Sequence, residues 1–228
     1  MIRRLSGSEL LDQPGGWPVR HSEAVADGRV ISMARDTIAT PDGGEMVREY
    51  VRHPGAVAVI AVDSDDCVVL VQQYRHPVGS KLLEPPAGLL DVAGEPYLTA
   101  AQRELAEEAA LAADEWKVLL DLVTTPGGST ESVRIFLATG LTPTDRPEGF
   151  ELEGEEADMD VRRAKVDDLV AALLAGRVQN SLLASGVLAL AAARATGATL
   201  RDPDVPWPIR EQGPDRHDPE QGSGGHQG

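Results

Sequence analysis

The sequence predicts an α/β fold, in which helices pack against mixed β-sheets and a small β region precedes the main domain. Two continuous apolar runs, at residues 56–62 and 67–74, are typical of strands that are buried on both faces. Apolar segments at residues 166–175 and 182–194 predict helices. Because strands flank helices of different character, a layered α/β sandwich is the expected architecture.

The N-terminal part of the chain predicts a β-hairpin. Residues 29–35 and 46–52 are strand-forming runs on either side of the turn sequence Thr40-Pro-Asp-Gly-Gly44. Further short strands are predicted at residues 116–123, 132–138 and 159–163.

The chain is expected to divide into three parts. Residues 1–53 form the N-terminal β region, and residues 54–199 form the main domain. Past Thr199 the chain becomes rich in Pro, Gly, Asp and Gln, a composition typical of disordered segments. Residues 200–228 are therefore predicted to be a disordered tail.

The composition excludes several classes of partner. The formal net charge of −16 and the pI near 4.6 argue against binding to nucleic-acid backbones or anionic membranes. No apolar run approaches the ~20 residues that a membrane-spanning helix needs, and no signal-peptide segment follows the N-terminus. The one cysteine, Cys67, cannot form an intrachain disulfide and fits a reducing compartment. We expect a cytoplasmic protein.

The most informative segment is an acidic helix within residues 88–111. Glu104, Glu107 and Glu108 are three or four residues apart, so their carboxylates can reach one patch, where they repel one another. A hard divalent cation with oxygen ligands would compensate for that repulsion. Arg103 stands four residues before Glu107 and can hold its carboxylate in place. The alternative is a solvated acidic helix face, which is the usual outcome for a run of charges.

The spacing of this segment resembles the box of the Nudix hydrolase family. That box reads Gly, five residues, Glu, seven residues, then Arg-Glu-apolar-any-Glu-Glu-any-Gly-apolar, and the chain matches it from Glu95 to Leu111. Two positions depart from it: six residues separate Gly88 from Glu95, and Ala110 stands where the family has Gly. The resemblance implies an α-β-α sandwich with a mixed sheet. It also implies a homodimer whose N-terminal strands are exchanged between subunits and help to form an adenosine pocket.

The resemblance assigns a metal site to the acidic helix. It implies Mg²⁺ as cofactor, with Mn²⁺ as an alternative, and such a cation would reverse the local repulsion between this acidic protein and a phosphate substrate. Gly88 would let the preceding loop approach the helix closely, although an ordinary turn glycine is the simpler explanation. Arg103 is carried over as a catalytic residue. The predicted metal ligands are Glu104, Glu107, Glu108 and the backbone carbonyl of Ala87.

Further segments resemble the ADP-ribose pyrophosphatases of this family, of the actinobacterial type. They are Leu83-Glu-Pro-Pro-Ala-Gly88, Gln72-Gln-Tyr-Arg75, the turn that holds Pro126, and residues 48–57. Glu84 would fix Arg103 or a loop, and the Arg75 guanidinium would suit bidentate binding to substrate oxygens. The alternatives are a surface charge, a solvent-facing strand end and a plain turn. The predicted substrate contacts are Arg52, Arg75, Glu84, Gly88, Pro126 and Gly127.

The general base is expected on the acidic loop before the strand at residues 159–163. Its Glu-Glu-Ala-Asp-Met end is similar to that of actinobacterial ADP-ribose pyrophosphatases, and a loop of this length could close over a substrate. Glu156 is the first choice, followed by Glu155 and Glu153. A solvated acidic loop is the alternative.

These residues together predict Mg²⁺-dependent hydrolysis of the diphosphate of ADP-ribose to AMP and ribose 5-phosphate. Another nucleoside diphosphate sugar or a dinucleotide is an alternative substrate. A Nudix-fold sensor that binds ADP-ribose without turnover is a second class, but the intact Arg103 and helix glutamates weigh against it. An interaction protein with an acidic helix would leave the box spacing unexplained.

Overall fold

The computed structural model describes residues 2–13, 15–147 and 159–211, which form two compact units. The described part of the first unit comprises residues 2–53 apart from residue 14, together with residues 127–130 and 206–211. The described part of the second unit comprises residues 54–126, 131–147 and 159–205.

The first unit is built on a three-stranded antiparallel sheet in the order β1-β2-β3. Its strands are β1 (Val19–Asp27), β2 (Ser32–Ala39) and β3 (Glu45–Arg52). The predicted hairpin is confirmed, because β2 and β3 pair in register around the Pro-Asp-Gly turn. The sequence analysis missed β1. Every residue of that strand is exposed, so it lacks the alternation of apolar and polar residues that marks a half-buried strand.

Residues 127–130 join this sheet beside β3. The backbone N–H of Val51 donates to the carbonyl of Gly128, and the N–H of Thr130 donates to the carbonyl of Val51, both at 2.9 Å. The Thr130 hydroxyl accepts from the N–H of His53, with 3.0 Å between nitrogen and oxygen, and donates to the His53 carbonyl, with 3.3 Å between the two oxygens. A glycine-rich loop is thereby fastened to the end of a strand that lies 77 residues earlier in the sequence.

The second unit contains two sheets. A four-stranded sheet has the order β7-β4-β9-β8, and a three-stranded sheet has the order β10-β5-β6. Strand β4 runs parallel to β9 and antiparallel to β7, so the predicted mixed sheet is confirmed. The strands are β4 (Ala56–Ala61), β5 (Cys67–Arg75), β6 (Ser80–Glu84), β7 (Ala87–Leu89), β8 (Leu111–Val123), β9 (Ser132–Pro143) and β10 (Asp160–Lys165).

Helices cover both faces of the four-stranded sheet. Alternate residues of the fully buried β4 enter two different apolar clusters. Ile60 packs in one cluster with Leu183 and other residues of α3. Val59 packs in the other with Leu105 of α1. The expected α-β-α sandwich is therefore confirmed, and its helices are α1 (Tyr97–Ala109), α2 (Val166–Leu174) and α3 (Ser181–Thr196), with a short α4 (Pro208–Glu211) in the first unit.

The prediction of disorder from residue 200 onward is wrong for residues 200–211. The carbonyl of Arg201 accepts from the N–H of Val118 on β8 at 2.9 Å, and its guanidinium pairs with Asp121 at 2.7 Å. These contacts depend on residues distant in sequence, which composition does not reveal. Residues 212–228 lie outside the described part of the chain. In that described part, no helix is both long and apolar enough to cross a membrane.

Candidate active site

The acidic helix α1 presents two of its carboxylates to strand β7. Glu104 and Glu108 are 8% and 5% exposed, so they do not lie on a solvated face. A Cβ atom added to Gly88 would overlap the Glu104 carboxylate, which therefore rests directly against the glycine backbone. The backbone N–H of Ala87 donates to Oε2 of Glu108 at 3.0 Å. Gly88 lies in β7 rather than in a loop, and its missing side chain makes the space that Glu104 fills.

Arg103 holds the glutamates of the box together. Its Nε and Nη2 donate to the two oxygens of Glu95, each at 3.1 Å. Its Nη1 donates to Glu104 at 2.6 Å and to Glu107 at 3.0 Å. The predicted contact between Arg103 and Glu107 is thus present. The hydrogen bonds that Arg103 donates to Glu95 raise the pKa of Arg103 above its usual value against the opposing effect of burial, and the nearby Glu104 and Glu107 add to the rise.

The three predicted carboxylate ligands do not converge on one point. Among the described residues, no group of three or more His, Cys, Asp and Glu side chains is arranged to hold a metal ion. Glu104 and Glu108 face β7, and the carboxylates of Glu104 and Glu107 both accept from Nη1 of Arg103. Mg²⁺ commonly uses only one or two carboxylates and completes its octahedron with water and substrate phosphates. Two buried carboxylates beside the backbone of Ala87 fit that donor chemistry.

Arg75 and Glu84 form a pair at the ends of β5 and β6. Nη2 of Arg75 donates to Oε2 of Glu84 at 2.6 Å, and Nε lies 3.1 Å from the other oxygen. Glu84 is 3% exposed and also accepts from Nε2 of Gln73 at 3.4 Å. The sequence analysis expected Glu84 to fix Arg103 or a loop, and the structure gives it a hydrogen-bonded arginine at Arg75. In the antiparallel pairing of β5 with β6, Arg75 lies opposite Ser80 and Glu84 lies opposite Val71, so the long arginine side chain reaches Glu84 diagonally across the two strands.

Arg52 lies on the three-stranded sheet of the first unit. Its Nη2 donates to Oγ of Ser22 at 2.8 Å, and its guanidinium lies 5.9 Å from the ring centre of Tyr50. The residues on both sides of Arg52 are hydrogen-bonded to the segment that starts at Gly127. The structure therefore brings two of the predicted substrate-binding segments together. Pro126 immediately precedes that segment.

The predicted general bases cannot be placed. Glu153, Glu155 and Glu156 all lie outside the described residues. The described chain stops at Pro147 and resumes at Met159. Just before that gap, Nε of Arg146 donates to the backbone carbonyl of Glu107 at 2.8 Å, in the last turn of α1.

Sequence reasoning missed a buried charge next to the start of α1. Arg134 has a side chain that is 0% exposed and pairs with Asp121, which lies directly opposite on the neighbouring strand. Its guanidinium carbon lies 5.3 Å from the ring centre of Tyr97. The available signal was a single arginine inside the apolar strand at residues 132–138, since charged residues are rarely fully buried unless they are paired.

Comparisons with known proteins identify relatives of most of the chain. The sequence model of the NUDIX domain matches residues 51–183. The chain is 45% identical over 186 residues to the ADP-ribose pyrophosphatase of Mycobacterium tuberculosis, covering 82% of this chain and 88% of that protein. It is 33% identical over 160 residues to the methanol dehydrogenase activator of Bacillus methanolicus, covering 70% and 84% of the two chains.

A solved structure has the same fold. The crystal structure of an ADP compounds hydrolase superposes with a TM-score of 0.67, covers 82% of this chain and 99% of its own, and is 24% identical in sequence. At that identity the likeness concerns the fold alone.

Proposed function

Because the chain belongs to the Nudix hydrolase family, whose members generally use divalent metal ions, we propose that it hydrolyses the diphosphate of ADP-ribose. The products are AMP and ribose 5-phosphate, and the cofactor is Mg²⁺. The 45% identity to an ADP-ribose pyrophosphatase over most of both chains supports this substrate. Other nucleoside diphosphate sugars remain the alternative substrates.

The buried pair of Glu104 and Glu108 carries the proposal. Two carboxylates on successive turns, each against the backbone of β7, form an oxygen-rich face that a hard cation prefers. Glu104, Glu108 and the Ala87 carbonyl would hold the cation. When bound, it would polarise the phosphate oxygens and lower the pKa of a coordinated water. It would also offset the repulsion between a protein of net charge −16 and a diphosphate.

We assign Arg103 and Glu107 to the support of this pair. The bidentate bond between Arg103 and Glu95 fixes the guanidinium plane, and a hydrogen bond from the same side chain restrains Glu104. Charge-assisted hydrogen bonds of this kind are short and directional. Glu107 was predicted as a metal ligand, and it shares the Nη1 of Arg103 with Glu104. Because Glu104 also rests against the backbone of Gly88, we propose the metal role for Glu104 and the role of orienting Arg103 for Glu107.

Two arginines and several glycine and proline positions are proposed to contact the substrate. Arg75 is partly exposed while Glu84 restrains it, so its guanidinium is oriented before a phosphate binds. Arg52 and Gly127 in the first unit stay proposed contacts, and so do Gly88 and Pro126 in the second. The general base is proposed to be Glu156, with Glu155 and Glu153 as the other candidates, because the helix glutamates are assigned to the metal and to Arg103 and a separate carboxylate should orient the attacking water.

A homodimer with exchanged N-terminal strands is proposed from the first unit. Its sheet exposes large apolar side chains, and every residue of β1 is exposed. Such surface is typical of association sites. A truncated protein that starts at His53 should lose dimerisation and affinity for substrate together, as measured by light scattering and by KM. A full-length protein that is monomeric and fully active would contradict the exchange.

The experiment for the reaction is product analysis. The protein should be incubated with Mg²⁺ and a panel of ADP-ribose, other nucleoside diphosphate sugars and a dinucleotide, and the products separated by chromatography. We expect equimolar AMP and ribose 5-phosphate, and the highest kcat/KM for ADP-ribose. Chelation of the metal should abolish turnover. Tight binding of ADP-ribose without any turnover would instead identify a sensor.

A further inference from the structure

We propose that Arg134 is a positioning residue for the reaction, acting through Tyr97 to set the rotation of α1 about its axis. The proposal rests on the proposed metal-binding role of Glu104 and Glu108. Neither Arg134 nor Tyr97 belongs to the predicted site.

Hydrogen bonds from all three of its nitrogens fix the orientation of the Arg134 guanidinium. Its Nε and Nη2 donate to the two oxygens of Asp121 at 2.7 and 3.1 Å. Its Nη1 donates to the backbone carbonyl of Val205 at 2.8 Å. With all three nitrogens engaged and the side chain fully buried, the plane of the guanidinium cannot rotate without breaking hydrogen bonds in a region that water does not reach.

Tyr97 meets this fixed plane at the first residue of α1. The guanidinium carbon lies 5.3 Å from the centre of the tyrosine ring, within the range of a cation–π contact. The helix has no side-chain cap at this end, because its N-cap residue is Pro96. Tertiary contacts such as this one must therefore hold the first turn in place.

Tyr97 and the two carboxylates recur at the period of the helix. Glu104 follows Tyr97 by seven residues and Glu108 follows it by eleven, so all three lie on one face of the helix. A rotation of the first turn would move both carboxylates around the helix axis and away from Gly88 and Ala87. A buried ion pair is weak evidence for added stability, since an apolar replacement is often equally stable. A role in fixing geometry accounts better for a buried arginine at this position.

The test compares variants at both ends of the contact. Tyr97→Phe keeps the ring, whereas Tyr97→Leu removes it and Arg134→Met removes the guanidinium. Mn²⁺ binding should be measured by calorimetry and ADP-ribose hydrolysis as a function of Mg²⁺ concentration, well below the melting temperature of each variant. We expect Tyr97→Leu and Arg134→Met each to weaken Mn²⁺ binding and to lower kcat at least about fivefold, with Tyr97→Phe unchanged. The double variant should lose no more than the worse single variant, because both single variants break the same contact between the Arg134 guanidinium and the Tyr97 ring.

A matched control separates positioning from stability. Arg201 donates to the same Asp121 at 2.7 Å. Arg201→Met should lower the melting temperature while leaving Mn²⁺ affinity and kcat as they are. If Tyr97→Leu binds Mn²⁺ and turns over like the unmodified protein, the proposal is overturned. If the unmodified protein itself binds no Mn²⁺ and hydrolyses nothing, the proposed function fails instead.

Discussion

The carboxylate of Glu104 on α1 occupies the space that a side chain would fill at Gly88 on β7. A helix residue and a strand residue are thus fitted to each other at the point where the metal is proposed to bind. The same strand donates its Ala87 N–H to Glu108, so one short strand orients both carboxylates. Five predictions follow the chemistry of this region and of the elements that support it.

Gly88→Ala should lower kcat/KM for ADP-ribose by about 10- to 100-fold, because a displacement of a reacting group by about 1 Å has effects of that size. The added Cβ would overlap the Glu104 carboxylate and push it off the backbone of β7. The control is Gly16→Ala, whose Cβ would meet no atom within 4 Å. Steady-state kinetics of both variants check the prediction, and equal activities would contradict the placement of Glu104.

Ala110→Gly should stabilise the protein by about 1 kcal/mol, because the left-handed conformation is strained for an L-residue with a Cβ. Ala110 ends α1 with φ 53° and ψ 44°, at the position where the Nudix box has glycine. Ala109→Gly, one residue earlier and inside the helix, should instead destabilise by about 1 kcal/mol. Urea unfolding measures both. A shift of the same sign for the two variants would show that the helix ends elsewhere.

Glu108→Gln should keep the fold and lower turnover by orders of magnitude, because a ligand charge is lost beside the phosphates. It should also weaken Mn²⁺ binding in calorimetry. Glu107→Gln should affect Mn²⁺ binding less, since Glu108 is bonded to the backbone of Ala87 beside the proposed metal, whereas Glu107 is bonded to Arg103. Near-normal rates for Glu108→Gln at saturating Mg²⁺ would remove this residue from the ligand set, and equal losses for both variants would restore Glu107 to it.

Arg75→Met should destabilise the protein by about 1–3 kcal/mol, the cost of leaving a buried charged acceptor poorly paired. The carboxylate of Glu84 would keep the 3.4 Å contact with Gln73 and lose three shorter or comparable contacts to the arginine. In a Glu84→Gln background the same substitution should cost less, because the buried charge is already gone. A double-mutant cycle by urea unfolding measures the coupling. Additive losses would mean that the pair does not act as a unit.

Glu156→Gln should lower kcat far more than it raises KM, because a general base acts mainly in the transition state. Glu155→Gln should be milder, and Glu153→Gln is the third member of the series. Kinetics at saturating Mg²⁺ measure all three. Unchanged rates in every variant would place the base off this loop and require a box carboxylate in its stead.

Much of the candidate site could be predicted from the spacing of residues along the sequence. The positions of Glu104, Glu107 and Glu108 on one helix follow from a period of 3.6 residues, which a sequence displays directly. The buried strands β4 and β5 were predicted for a similar reason, since an unbroken apolar run is typical of a strand that is buried on both faces. The helices α2 and α3 were found within a residue or two of their ends.

Pairings between residues that are distant in the sequence could not be predicted from local spacing. The helical period could not show that Glu104 and Glu108 would face β7, or that Arg103 would hold Glu104 as well as Glu107, because that depends on how the helix is rotated against a strand. Glu84 has its partner on the adjacent strand, and Arg134 is paired with a residue thirteen positions away through the register of two strands. Strand β1, exposed along its whole length, is defined by its hydrogen bonds to β2.

The sequence by itself determined the class of fold, the acidic helix and the identity of the chemical groups on it. Only the tertiary structure decided that Gly88 makes room for Glu104, that Arg75 rests on Glu84, and that a buried arginine contacts the first residue of α1. The physical reason is that the apolar pattern and the helical period are properties of neighbouring residues, whereas an ion pair or a close backbone approach exists only after separate strands and helices have packed in one register.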